Sequence, residues 1–282
     1  MPGKGVILAA LGHPYYSHMA KNLAVSLLFH NPELEIALIH DDNGVNLLYP
    51  EDKTLFKYLI PVKDSKYQDD PYRFKLDLDK LTPFDTTLYL DVDMLWLQDS
   101  GRSPMSLMNE MGDTDFMMIS RGKVSTDGAT LSRWVDLKSI HQAYQIDTVY
   151  DISSELIFWN KGTKVFKEAR KVYKNPKVEV TKFGLGYPDE AYFMIALSQM
   201  GYSLPMDKWE PTYWEPRHFP KQHSREFIGQ HYSLSVGGAF TSAHIKKFYN
   251  LLNGHYHQSL GIASKPYQLQ EKSRIFKERR KI

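Results

Sequence analysis

The chain has 282 residues, is 42% hydrophobic and 24% charged, and contains 17 Gly and 15 Pro. That composition excludes collagen, coiled coil and disorder and suffices for one large core or two small ones. Against 33 Asp and Glu stand 35 Lys and Arg, a net charge of +2, which excludes a uniformly basic, nucleic-acid-coating protein. The lack of cysteine rules out disulfides, thiolate metal sites and cysteine nucleophiles and fits a reducing compartment. The N-terminal apolar run is too short for a signal peptide, and no segment reaches the roughly 20 apolar residues of a membrane span. A cytoplasmic protein is expected.

In chain order, residues 5–11 form a continuous apolar run that ends at Gly12-His13-Pro14. From Ser17, the residues Met19, Leu23, Leu27 and Leu28 recur at helical spacing until Asn31-Pro32 stops them. Residues 35–39 read as a second buried strand ending in His40-Asp41-Asp42. Strand, helix and strand in so short a span make a βαβ unit, and wholly apolar strands predict a parallel sheet covered on both faces. A short helix is predicted over 74–81 and a third buried strand over 86–90, which runs into Asp91-Val92-Asp93. Further strands are predicted over 115–120 and 155–159. The spacing of Val165, Phe166, Ala169, Val172 and Tyr173 predicts an amphipathic helix over 163–174. Pro188 and the acidic pair Asp189-Glu190 mark the start of another helix over 189–200. After Trp209 the chain is aromatic and rich in proline, and a last helix is predicted over 243–253.

Asp-x-Asp occurs at Asp77/Asp79, Asp91/Asp93 and Asp113/Asp115. Only Asp91/Asp93 follows a buried strand, and in open α/β sheets ligands sit beyond the carboxyl ends of strands. Two carboxylates one residue apart at such an end offer hard oxygen ligands to Mg²⁺ or Mn²⁺, which usually bridge to substrate phosphates. A solvated turn is the bland alternative, and apolar Met94, Leu95 and Leu97 directly after the pair argue against it.

From Phe74-Lys75-Leu76 through Leu88-Tyr89-Leu90-Asp91-Val92-Asp93 the chain resembles nucleotide-sugar glycosyltransferases of the GT-A fold. The similarity is greatest to the retaining family that contains glycogenin and bacterial lipopolysaccharide galactosyltransferases. The resemblance implies an α/β fold with a Rossmann-like, mixed but mostly parallel sheet flanked by helices. It implies that Asp91 and Asp93 hold Mn²⁺ or Mg²⁺ and that Lys75, 16 positions before Asp91, contacts a UDP-sugar donor. The loop containing Ala9, Ala10, Tyr15 and Tyr16 stands where the family holds uracil and ribose. Asp189, with Glu190 second, matches the acid on the reacting face; in inverting relatives an acid here is the general base, so the stereochemical outcome stays open. The family's late histidine ligand is matched by His231, but its lysine six residues later is replaced by Gly237. Ser153-Ser154-Glu155 likewise replaces the Asn-Ser-Gly of many relatives.

The expectation is therefore one GT-A domain over 1–265, with a donor half over about 1–120 and an acceptor-side half over about 121–265. The predicted activity is metal-dependent transfer of a hexose from a UDP-sugar to a glycan, lipid-linked saccharide, protein or modified nucleic-acid base. Trp209, Tyr213, Trp214, His218 and Phe219 offer either an acceptor platform or a satellite core. A nucleotidyltransferase on the same sheet is the nearest alternative, although Leu11-Gly12-His13-Pro14 makes a poor phosphate loop. A sugar- or nucleic-acid-binding module without catalysis is the other. Residues 266–282 are read as a basic tail. Its last part, 271–282, carries a net +4 and leaves −2 for the rest of the chain; such a tail can touch anionic lipid or nucleic acid.

Overall fold

A computed structural model describes residues 3–63, 67, 69–97, 103–127, 134–184, 186–214, 230–236 and 243–269. The chain forms two compact units that interleave in sequence. An N-terminal unit comprises 4–64, 90–112 and 211–282, and a central unit 1–3, 65–89 and 113–210.

In the N-terminal unit the first apolar run is β1 (Lys4–Ala10), the amphipathic stretch is α1 (Tyr15–His30) and the second run is β2 (Ile36–His40). Two short helices, α2 (Asp42–Val45) and α3 (Pro50–Lys53), lead to β3 (Tyr58–Pro61). The three strands are parallel in the order β3-β2-β1, with Ala10 opposite His40 and Ile39 opposite Ile60. Every residue of β2 is buried, as its continuous apolar sequence requires. In contrast, β3 is mostly exposed and polar at its flanks, which is why no hydrophobic pattern announces it. A small second sheet in the order β5-β10-β9 joins β5 (Met94–Trp96), β10 (Ser233–Ser235) and β9 (Thr212–Tyr213). The unit is completed by α5 (Pro104–Met111) and α9 (Ala243–Ser259), which runs past the predicted end at 253.

In the central unit the predicted helix over 74–81 is a tight 3₁₀ turn, Arg73–Asp77, followed by a single helical turn, α4 (Leu78–Leu81). Arg170 fixes this pair by bonding Leu76 O at 2.6 Å and Asp79 Oδ2 at 2.9 Å. The strands are ordered β4-β7-β6-β8: β4 (Thr86–Leu90), β7 (Thr148–Asn160), β6 (Phe116–Ser125) and β8 (Lys208–Trp209). Here β6 is antiparallel to both β7 and β8, and the small sheet of the N-terminal unit is mixed as well, with β10 antiparallel to β5 and parallel to β9. Beside the sheet stand α6 (Leu137–Tyr144), α7 (Val165–Lys174) and α8 (Asp189–Gln199). Phe116 of β6, Phe166 of α7 and Phe193 of α8 meet with ring centroids 5.5–5.9 Å apart, all three fully buried. No helix among the described residues is long and apolar enough to cross a membrane.

Candidate functional site

The chemistry-bearing residues of the N-terminal unit lie on the segments that follow β1 and β2 and on the turn before β5. Ala9 and Ala10 are buried at the end of β1. The next segment is fixed by Asp41, which accepts the Gly12 N–H at 2.6 Å and the Gly44 N–H at 2.8 Å. Gly12 has φ +82°, a conformation that favours glycine. Gly44 is glycine for a different reason: a β-carbon there would stand 2.6 Å from Ser17 Oγ and 3.4 Å from the Ala10 carbonyl oxygen. Tyr15 stacks on His13 at 4.7 Å and approaches Tyr267 at 5.5 Å, while Tyr16 meets His13 edge-on. Tyr15 therefore belongs to a ring stack anchored by the chain's C-terminal stretch.

Asp91 and Asp93 are half-buried on the turn between β4 and β5, either side of buried Val92. The three residues of β5 are fully buried. Their backbone is held by Trp96 N–H to Ser26 Oγ at 3.1 Å and by Tyr256 Oη–H to Trp96 O at 3.1 Å. The Val236 N–H donates to Asp93 O at 2.9 Å. The aspartate pair thus sits on a rigid support.

The same register bears on His231. Antiparallel pairing sets Ser235 against Met94 and Ser233 against Trp96, and Leu97 N–H reaches Tyr232 O at 2.8 Å. The residue brought to Asp93 is Val236, and His231 lies toward the opposite end of β10. At roughly 3.4 Å per residue, the chain from Val236 back to His231 covers up to about 17 Å. His231 stands 5.4 Å from the Tyr213 ring. The structure does not gather His231 with the aspartate pair, and among the described residues no group of three or more His, Asp or Glu could hold a metal ion. Two carboxylates on one turn nevertheless supply the hard oxygen donors that Mg²⁺ and Mn²⁺ take, with further positions open to phosphate oxygens and water. They fit a cation shared with a bound ligand, not a cage made by protein alone.

In the central unit Lys75 is buried on the 3₁₀ turn. Its Nζ donates to Ser154 Oγ at 3.1 Å and Ser154 O at 3.2 Å and lies 5.4 Å from the centroid of the Tyr89 ring. The Ser154 N–H in turn donates to Glu190 Oε1 at 3.5 Å. Ser154 is aimed by an irregularity in the sheet. Pairing between β6 and β7 jumps from Met118↔Ile157 to Ile119↔Ser153, leaving residues 154–156 as a bulge; bulges commonly re-aim side chains beside functional sites. Asp189, the first residue of α8, is 2% exposed, and Glu190 is half-buried. Lys75, Ser154 and Glu190 thus form one connected group. Of the aromatic stretch, Trp209 pairs with Ser120 in the central unit, whereas Tyr213 is buried in the small sheet of the N-terminal unit. His218, Phe219, Gly237, Gly238 and the basic tail over 271–282 lie outside the described residues.

Asp41 and the bulge at Ser154 were not singled out for these roles from sequence. Asp41 carries a signal like that of Asp91, a carboxylate directly after an apolar strand, but the bulge has none. No family profile and no curated protein matches the chain. Solved structures do. The galactosyltransferase LgtC in complex with donor and acceptor sugar analogues is similar at 12% identity and TM-score 0.54, over 98% of this chain and 99% of that one. An active-site mutant of LgtC is similar at 13% identity and TM-score 0.54, over 93% and 97%. The bifunctional glycosyltransferase WbbM is similar at 11% identity and TM-score 0.52 over 85% of this chain, which spans 46% of WbbM. These likenesses show the fold: a mixed α/β arrangement of the GT-A glycosyltransferase type, resembling lipopolysaccharide galactosyltransferases.

Proposed function

We propose that the chain is a metal-dependent glycosyltransferase that moves a hexose from a UDP-sugar to an acceptor nucleophile. The observation that carries this reading is the Asp91/Asp93 pair, half-buried on a turn at the carboxyl end of a buried strand in a GT-A fold. Asp91 and Asp93 would hold Mn²⁺ or Mg²⁺ together with the donor diphosphate. When bound, the ion neutralises charge that grows on the departing UDP.

The remaining roles fall to this chain's own groups. Ala9, Ala10, Tyr15 and Tyr16 line the loop assigned to the base, with Asp41 setting its backbone. Lys75 brings a positive charge to the donor, steadied by Ser154. Asp189 contacts the donor sugar and either stabilises positive charge at the anomeric carbon or accepts the acceptor's proton, with Glu190 beside it. The anomeric configuration of the product, read by NMR, separates these two roles. His231 lies toward the end of β10 away from Asp93, and in this reading it takes no metal-binding role.

The test is a thermal-shift screen of UDP-glucose, UDP-galactose and their N-acetyl forms with Mn²⁺, followed by donor hydrolysis with and without EDTA. Stabilisation by at least one UDP-sugar and hydrolysis abolished by EDTA are expected. No response to any of them contradicts the proposal. Mass spectrometry of products from a glycan, a lipid-linked saccharide, a protein and a modified nucleic-acid base identifies the acceptor class.

A further inference from the structure

We infer that Asp70 is a positioning residue that sets the acidic start of α8 against Lys75; the inference rests on the reading of Asp189 and Glu190 as donor-sugar residues. Asp70 is buried, 6% exposed. A carboxylate in the interior persists only where its charge is met by hydrogen bonds. Its Oδ1 accepts the Tyr187 N–H at 3.1 Å, two residues before Asp189. Its Oδ2 is buried and has no hydrogen-bond partner among the described residues. Burial and the nearby Asp70 carboxylate push the Tyr173 pKa up to about 12.

The backbone beside the clamp is built for close approach. Phe183 N–H donates to Gly186 O at 2.9 Å and Gly186 N–H donates to Phe183 O at 3.3 Å, which folds this stretch onto itself. A β-carbon on Gly186 would stand 2.4 Å from Asp70 Oδ1 and 2.8 Å from Tyr72 Cδ2. No side chain fits there without parting the loop from Asp70.

The same short segment that begins at Asp70 ends in Lys75. Its first residue holds the chain just before Asp189. Its last reaches Glu190 through Ser154, by the Nζ–Oγ bond of 3.1 Å and the N–H bond to Oε1 at 3.5 Å. Segments 70–75 and 187–190 are therefore tied at two points. The second tie narrows the freedom of the start of α8, and a displacement of about 1 Å at a reacting group costs roughly 100-fold in rate. Asp70 needs no contact with the donor to exert this effect.

The experiment compares Asp70→Ala, Asp70→Asn and Gly186→Ala with the wild type. Asparagine keeps an oxygen for the Tyr187 N–H at nearly the same side-chain volume. In donor hydrolysis, kcat should fall roughly 100-fold in Asp70→Ala with the donor KM within about threefold of wild type. Asp70→Asn should recover most of that loss, and Gly186→Ala should reproduce it with the carboxylate intact. Hydrogen exchange at the Tyr187 amide should accelerate in Asp70→Ala and not in Asp70→Asn. Wild-type kcat in both Asp70→Ala and Gly186→Ala overturns the inference, as does a loss that Asp70→Asn fails to rescue. Should the wild type turn over no donor, the reading of the site fails. The Tyr187 amide then still tests the clamp, and unchanged exchange in Asp70→Ala refutes it.

Discussion

Asp91 and Asp93 stand half-buried on a turn whose backbone is anchored by β5 and β10, whereas Asp189 is 2% exposed at the start of a helix held through Tyr187 and Ser154. In the first region main-chain bonds fix the support of the carboxylates. In the second, the Asp70 carboxylate holds the Tyr187 N–H just before the acids, and the Ser154 N–H, beside Lys75, holds the Glu190 carboxylate. A strongly hydrated, multiply charged ligand is best met by a rigid but open turn. A sugar, which offers hydroxyls and one reacting carbon, is best met by groups already locked in place. Under the proposed function the two regions divide charge neutralisation from placement.

Substitutions can break that division. The largest expected effect is in Asp93→Ala: donor hydrolysis falls roughly 1,000-fold, about 4 kcal/mol, with the melting temperature nearly unchanged because the turn is held by main-chain bonds. Next is Lys75→Met, which removes the charge and the bonds to Ser154 in a side chain of similar volume. Hydrolysis should fall roughly 100-fold, with a larger effect on kcat than on the donor KM.

Stability above neutral pH sharpens the comparison at a third level. Burial holds the hydroxyl of Tyr256, which supports β5 in the N-terminal unit, at a pKa of about 12, and the Tyr173 hydroxyl in the central unit is raised to a similar value. The folded state keeps these protons where the unfolded chain has begun to lose them. Their contribution is complete below about pH 10 and is lost as pH rises through about 12. Denaturant midpoints measured between about pH 9 and 12 should decline, and the decline should be shallower in Tyr256→Phe. The smallest effect is expected for His231→Ala, with hydrolysis within about threefold of wild type, under about 1 kcal/mol. A loss as large as that of Asp93→Ala would overturn the separation implied by the register of β10.

The strands and helices that bury a continuous or periodic apolar pattern were legible in the sequence: β1, α1, β2, β4, α7 and α8 lie where the pattern placed them. The edge strand β3 was not, because its side chains are mostly exposed and carry no alternation. Nor was α5, whose Ser103 cap and Pro104 start were passed over between two predicted strands. At the candidate site, the placement of Asp91 and Asp93 after β4 was readable because the apolar pattern that marks the strand also marks its end. His231 matches the family's late histidine and precedes Gly237-Gly238, and neither feature says anything about strand register; the pairing of Ser235 with Met94 is a tertiary fact. The clamp at Asp70 and the bulge at Ser154 were not legible for a related reason. A clamp formed across more than a hundred residues, and a bulge set by mispaired strands, leave no local pattern.

The most direct test is calorimetry of UDP binding to the full chain with and without Mn²⁺, in the wild type and in Asp91→Asn and Asp93→Asn. A carboxylate pair that shares a cation with a diphosphate predicts binding that needs Mn²⁺ and weakens at least 100-fold in either variant, about 2.7 kcal/mol. UDP binding of equal strength in EDTA and in both variants would contradict it.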